Sequence, residues 1–593
     1  MAKKLLLNSC LVLSFIINLI FEFRVHAVPY DHTFTHECLA KPLKPQYNGG
    51  IVTNSELNEK LMGWAKFGNA NIAHGESNDG NKYIIASKRK QSFDSFSQNF
   101  LLEKNKLYTF SVIFNLIYIA WLQVSHGKAD ISAIFKTRNG YRNAGLVVAR
   151  KGCWSMLKGG LVVNVSGPAK LYFEVFIFLL SDNTKVDIWA DSISLQPFTH
   201  QEWKSHQDHN IHKFRKSSVK FQAVDQHNQP IPNATVSLKQ RHHNFPFGVA
   251  INKNIIGNSA YQNWFTSRFK YTVFENELKW YANEVQRGVE DYSISDALVK
   301  FAQSNGVSIR GHNVFWDNES DQPSWVPGLS SNDLRAAAEQ RIKSVMNRYK
   351  GQLFHWDVVN ENLHWSFFES KLGANASAVF YEMASGIDGG TTPFLNEYNT
   401  IEQSSGGDAA APSLYLAKIE QMREEGYNGH LGIGLQGHFS DPNLPYVRAA
   451  IDQLASADLP IWITELDVKS GPNQATYLEQ IIRELHSHWA VDGIIIWSAW
   501  SPQGCYRMCL TDNNFNNLET GNVVDKIIHE WAHIADLPGT TDYNGVFGAS
   551  LFHGEYEVKI SHPMGGEYSS FQKISVSPNE GVQAMAIRFE IDV

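Results

Sequence analysis

Two strings, Trp356-Asp357-Val358-Val359-Asn360-Glu361 and Ile461-Trp462-Ile463-Thr464-Glu465-Leu466-Asp467, decide the fold. Each is a short, β-rich apolar run that ends in a carboxylate. A strand that delivers a Glu at its C-terminal end, repeated about a hundred residues later, is how a (β/α)₈ barrel sets two carboxylates across one pocket. Two carboxylates so placed are the least equipment that cleavage of a glycosidic bond requires.

Outward from these strings, strands and helical patterns alternate from about Val219. Eight strand candidates end near Ala250, Glu275, His312, Asn360, Tyr398, Gln436, Thr464 and Trp497, with helical patterns such as Asn332 to Tyr349 and Gln474 to His488 between them. Eight such units over ~300 residues predict an α/β fold, a (β/α)₈ barrel, over 219–535. A chain of 593 residues is too long for one core and predicts about three domains. Short alternating runs, among them Ser132-Ala133-Ile134-Phe135 and Val186-Asp187-Ile188-Trp189, predict a β-sandwich over 48–198. A polar, His-rich stretch over 199–218 reads as a linker or connecting helix. Residues 536–593 return to β as a small appendage, with Phe552 to Ile560 alternating cleanly.

Two stretches fit this plan badly. Tyr108 to Val124 and Leu171 to Leu180 are apolar runs where a sandwich expects strands of about six residues. Neither is long and polar-free enough to span a bilayer. The expectation is that each carries inserted residues.

Lys3-Lys4, the apolar run Leu5 to Ile20 and Val25-His26-Ala27 form a secretory signal over 1–27, which predicts an extracellular protein that keeps no membrane segment after cleavage. Of the five cysteines, Cys10 lies in that signal, leaving Cys38, Cys153, Cys505 and Cys509. Four cysteines allow three pairings; proximity favours Cys505–Cys509 and Cys38–Cys153. They lack zinc-ligand spacing, so no metal is expected. Asn164, Asn233, Asn318 and Asn375 open N-glycosylation sequons. The formal charge of −7 without a long basic run argues against nucleic acid as a partner. Aromatic content of 12% with 16 Trp suits contact with sugar faces, although core packing takes up most such rings.

Barrel active sites lie at strand C-termini. There the sequence places Glu275, Asn276 and Lys279 (strand two), His312 and Trp316 (three), Asn360 and Glu361 (four), Tyr398 (five), Gln436 and His438 (six), Glu465 and Asp467 (seven) and Trp497 (eight). Stability alone does not put Lys, His, Gln and Glu at one rim so regularly.

Glu275-Asn276 with Lys279-Trp280, then Arg310-Gly311-His312, Trp356 to Glu361 and Thr464 to Asp467, in that order, resemble glycoside hydrolase family 10, the endo-β-1,4-xylanases. The likeness runs from about Val219 to Trp531. The first domain resembles a family 22 carbohydrate-binding module, and the whole arrangement is similar to plant cell-wall xylanases. The resemblance implies a retaining enzyme acting on xylan in the cell wall, as a monomer and with no cofactor. Glu465 would be the nucleophile and Glu361 the acid/base, which gives up its proton more readily once Glu465 has lost its charge to the ester. Asn360 would hydrogen-bond the sugar 2-hydroxyl. His438 and Asp467 would orient the nucleophile. Glu275, Asn276, Lys279 and His312 would contact the glycone, Gln436 sugar or nucleophile, and Trp316 and Trp497 would form walls, with Tyr398 also at the substrate. One departure is the run Trp497 to Tyr506, in which either Trp500 or Tyr506 could replace the family's second Trp. Trp64, Tyr83, Trp121, Tyr141 and Trp154 are candidate sugar-stacking rings of the first domain. The same covalent intermediate would serve a transglycosylase, and no residue decides between water and a sugar as acceptor; a weakly active wall-binding protein is the third reading.

Overall fold

The computed structural model describes residues 28–118, 128–176, 186–404, 409–532, 537–564, 568–578 and 584–591. The signal stretch 1–27, Trp121 and the ends of both long apolar runs, 119–124 and 177–180, lie outside the described residues.

Eight parallel strands form the central core: Phe247–Val249, Tyr271–Val273, Ser308–Gly311, His355–Asn360, Thr392–Glu397, Gly432–Leu435, Ile461–Val468 and Val491–Ile496. Their hydrogen-bonded order runs first, eighth, seventh and so on to the second, and an Ile251–Phe274 bridge brings first and second together. This is the expected (β/α)₈ barrel. Strands buried on both faces read as continuous apolar runs, and every residue of Ile461–Val468 is buried. The intervening helices bury one stripe each. In Ser331–Arg348, capped by Ser330 on the Asp333 N–H, the stripe includes Leu334, Ala338, Ile342 and Val345.

The N-terminal domain is a sandwich of two five-stranded antiparallel sheets. The described parts of the two apolar runs are interior strands. Tyr108 to Tyr118 lies in the 13-residue strand Lys106–Tyr118, paired on both sides by Val186–Thr199 and Trp154–Val162. Leu171 to Phe176 lies in Gly167–Phe176, at the centre of the other sheet. The described parts of both runs are long central strands; the expectation of inserted residues also covers 119–124 and 177–180, which lie outside the described residues.

Within 199–218 the chain forms the helix His200–Arg215, opened by a reciprocal cap between Thr199 and Glu202, and then enters a strand at Lys216. The next two strands differ from expectation. Lys216–Val224 and Thr235–His243 lie in 219–535 or at its edge, yet they pair with C-terminal strands rather than with the barrel. The first joins Val546–Phe552 and Met585–Glu590; the second joins Leu537–Thr540 and Gly554–Ser561. Phe221, Val236, Leu238, Val558, Ile560 and Phe589 share one core there. Their alternation is that of any half-buried strand, so pattern alone cannot say which sheet they join.

Both disulfides expected from proximity are present, Cys38–Cys153 and Cys505–Cys509. Sandwich and barrel meet at a buried network: Lys158 Nζ lies 2.7 Å from Asp452 Oδ2, and Tyr30 Oη donates to the same oxygen at 2.9 Å.

Candidate active site

The fourth strand ends at Asn360, and the chain turns with Glu361 in the left-handed region at φ 61°, rare for a residue with a side chain. The ladder shifts register between Asp357 and Asn360 here, and again between Ile463 and Leu466 on the seventh strand. Such irregularities re-aim side chains. Both glutamates consequently line one cavity of about 650 Å³ at the C-terminal ends of the strands.

The two carboxylates sit in different company. Glu361 accepts from two neutral donors, Trp316 Nε1 on Oε2 at 2.8 Å and Gln436 Nε2 on Oε1 at 2.9 Å. Glu465 accepts from Asn396 Nδ2 on Oε1 at 2.8 Å, and His438 Nε2 stands 3.4 Å from Oε2. Burial pushes the Glu465 carboxyl up, but His312, His438 and Lys279 outweigh it and bring it down to about 2. His438 is the reciprocal case: burial alone would lower it, and Asp467 with Glu465 hold it up at about 10. His438 Nδ1 is 3.0 Å from Asp467 Oδ2, and Asp467 is fully buried behind the cavity wall.

Lys279 is almost fully buried. It donates to Asn276 Oδ1 at 3.1 Å, and its ammonium lies 4.5 Å from the centre of the Trp316 ring. Burial lowers its affinity for the proton against the pull of Glu465 and Glu361. Burial also pushes Glu275 up to about 7, although Asn252 donates to it at 3.1 Å. His312 is fixed by Asp357 at 2.8 Å, which also pairs with Arg310, and its ring meets that of Trp497 edge-on.

Twelve of the thirteen residues singled out from the sequence therefore line one cavity: Glu275, Asn276, Lys279, His312, Trp316, Asn360, Glu361, Tyr398, Gln436, His438, Glu465 and Trp497. Asp467 is the thirteenth, one layer behind. Contacts refine several of them. Gln436 touches Glu361 rather than Glu465. Trp316 is a hydrogen-bond donor as well as a wall. Tyr398 stacks on His364, ring centres 3.7 Å apart, and His364 in turn binds Glu397, which burial raises to about 7. Of the two candidates in the last loop, Trp500 is buried against Tyr261 and Phe515, and Tyr506 lines the cavity at 77% exposure.

Sequence reading gave no role to Asn396, Trp365 or Arg507. Asn396 Nδ2 bridges Asn360 Oδ1 at 2.9 Å and Glu465 at 2.8 Å, while Thr464 Oγ1 donates to its Oδ1. The signal available was its place at the end of the fifth strand. Trp365 offers a half-exposed indole to the cavity. Among the described residues, His32, Asp452 and His488 have metal-ligand spacing, but Lys158 occupies the remaining side of Asp452. They form a hydrogen-bonded joint rather than a cation site. In the first domain Trp64, Tyr83 and Trp154 are buried, and Tyr141 is exposed.

The fold and the paired carboxylates define a barrel glycosidase, and comparison with known proteins places it further. Residues 237–518 match the Glycosyl hydrolase family 10 profile. Endo-1,4-beta-xylanase 5 of Arabidopsis thaliana is 42% identical over 513 residues, covering 84% of this chain and 87% of the relative. Endo-1,4-beta-xylanase 4 of the same plant is 34% identical over 573 residues, covering 93% of each. A solved structure, the carbohydrate-binding and family 10 modules of the Clostridium thermocellum xylanase 10B with xylohexaose, overlaps 80% of this chain and 96% of that one at 15% identity and TM-score 0.42. The chain belongs to glycosyl hydrolase family 10.

Proposed function

We infer that this chain is a secreted endo-1,4-β-xylanase that cuts internal xylosidic bonds by double displacement with retention. One observation carries the reading: Glu361, just past the fourth strand, and Glu465, within the seventh, line one cavity, Glu465 among cations and Glu361 among neutral donors. A carboxylate kept ionised is suited to attack the anomeric carbon, and the attack expels the leaving sugar oxygen. Glu361 supplies the proton that this oxygen takes. In the second step Glu361 removes a proton from water, which displaces Glu465 from the sugar. Loss of negative charge at Glu465 during the intermediate favours that change of role.

The remaining residues support the same reading. Asn396 occupies Asn360 Oδ1, which leaves the Asn360 amide N–H groups for a sugar 2-hydroxyl. His438 and Asp467 hold the nucleophile. Glu275, Asn276, Lys279 and His312 present donors, acceptors and one cation to the glycone, and Trp316, Trp497, Tyr398 and Tyr506 supply the walls. The N-terminal sandwich serves as a carbohydrate-binding module with Tyr141 as its exposed ring. The two disulfides suit an oxidising, extracellular setting such as the cell wall.

The test is release of reducing ends from glucuronoarabinoxylan by the chain from Val28, with Glu465→Gln as control. Release by the wild type alone is expected. No release by folded wild type, or equal release by both, contradicts the reading.

A further inference from the structure

Beside the cavity, which Arg507 itself lines at one edge, four charged groups alternate in sign. Glu465 faces His438 at 3.4 Å, His438 faces Asp467 at 3.0 Å, and Asp467 Oδ1 accepts from Arg507 Nε at 2.7 Å. A second guanidinium nitrogen of Arg507 donates to the carbonyl of Phe439, the residue after His438. One planar fork thus grips both the carboxylate that pairs with His438 and the backbone that carries it, a geometry a lysine cannot reproduce.

The segment bearing Arg507 is anchored on every side. The Cys505–Cys509 disulfide closes it, Thr520 Oγ1 donates to the Cys509 carbonyl at 2.6 Å, and Gln474 Nε2 donates to the Arg507 carbonyl at 3.1 Å. Met508 is buried in the barrel core. A disulfide that closes so short a loop constrains the unfolded chain far less than one that closes a long loop, so its main effect is local geometry. What that geometry fixes is the guanidinium.

We propose that Arg507 is a positioning residue for the nucleophile, acting through Asp467 and His438, and that the disulfide-closed loop delivers it. The proposal rests on the reading of Glu465 as nucleophile. Without Arg507, the buried Asp467 keeps one cationic partner instead of two, and the Phe439 carbonyl next to His438 loses its tie to the loop. The charged groups facing this chain are Lys279 from the loop after the second strand, His312 with Asp357 from the third and fourth, Glu361 after the fourth, and Glu402, whose carboxylate accepts from the backbone N–H of His438 at 2.9 Å. With Asp467 and the backbone after His438 freed, His438 holds Glu465 low less firmly, so the acid limb of activity moves toward neutral pH.

The experiment compares wild type, Arg507→Met, Arg507→Lys, Asp467→Asn and Arg507→Met/Asp467→Asn on xylohexaose across pH, with thermal melts of each. Expected for Arg507→Met is a fall in kcat of about 10²-fold with KM nearly unchanged, as for a small misplacement of a reacting group, and an acid limb shifted upward. Arg507→Lys recovers about tenfold of that loss, and the double variant is no worse than Asp467→Asn alone, as expected for residues acting as one unit. A folded Arg507→Met with wild-type kcat and an unmoved acid limb overturns the proposal. So does a double variant whose losses multiply. Should Arg507→Met not fold, Arg507→Lys decides: a reduced kcat with a shifted limb supports the proposal, and wild-type kcat and limb overturn it. Inactive wild type, or active Glu465→Gln, would instead contradict the enzymatic reading itself.

Discussion

Two buried carboxylate networks in this molecule are built from similar parts and end differently. At the joint between sandwich and barrel, Asp452 takes His32 at 2.8 Å and His488 at 3.0 Å on one oxygen, and Lys158 at 2.7 Å and Tyr30 at 2.9 Å on the other. Every direction from which a carboxylate accepts is filled. In the cleft, Glu465 also has a histidine, a neutral donor and a distant lysine around it, yet one side opens on the cavity. Both carboxyls are held low, in each case against the upward push of burial. Lys158, His32 and His488 hold Asp452 far below its ordinary value; His312, His438 and Lys279 hold Glu465 at about 2. Burial and cationic company therefore do not separate structure from chemistry. Completeness does: the closed network ties domains together, and the open one keeps one side of its carboxylate toward the cavity.

The sharpest way to break the comparison is Glu465→Gln. Turnover of xylan should fall at least about 10⁴-fold, as when a covalent nucleophile is removed, while the melting temperature is kept; a coupled loss of fold and activity would erase the distinction. The mirror experiment is Lys158→Met. Removing one partner of a buried pair costs about 3–5 kcal/mol, so chemical denaturation should show a large loss of stability with activity per folded molecule unchanged. Asn396→Ala sits between the two. It unties Asn360 and Glu465 together, and kcat should drop about 10-fold to 10²-fold, as for other groups that orient reacting residues, with a smaller loss of stability.

The smallest effect concerns Glu275. Burial raises its folded value to about 7, above the unfolded value of about 4.3. The folded state then binds more protons than the unfolded state between those values, so wild type loses stability as pH rises from about 4.3 to about 7. Glu275→Gln lacks this slope. Its melting temperature relative to wild type should climb across that window and level off above it; a pH-independent difference would show that Glu275 is ionised when folded.

The same contrast explains what the sequence disclosed. The fourth strand's end was legible because a barrel strand that closes on a carboxylate or amide breaks its own apolar run, as at Asn360-Glu361; the seventh runs on past the expected end at Thr464 to Val468. One barrel helix was legible from its pattern, read as Asn332 to Tyr349 and found as Ser331–Arg348. Partners distant in sequence were not. Nothing in Cys505 to Cys509 announces that Arg507 reaches Asp467, and nothing in Asp452 announces Lys158 in another domain. Asn396 is uncharged and follows Leu395 as an ordinary polar residue would; its importance comes from the two residues it touches. For the same reason Lys216–Val224 reads as part of the barrel although it pairs with strands more than three hundred residues later.

The most direct test of the central claim is to trap the covalent intermediate. The chain is incubated with a 2-deoxy-2-fluoro-xylobioside bearing a good leaving group, then digested and mapped by mass spectrometry. The account predicts one xylobiosyl adduct, on the peptide containing Glu465. An adduct on Glu361, or turnover of xylan by a protein that accumulates no adduct at all, would contradict it.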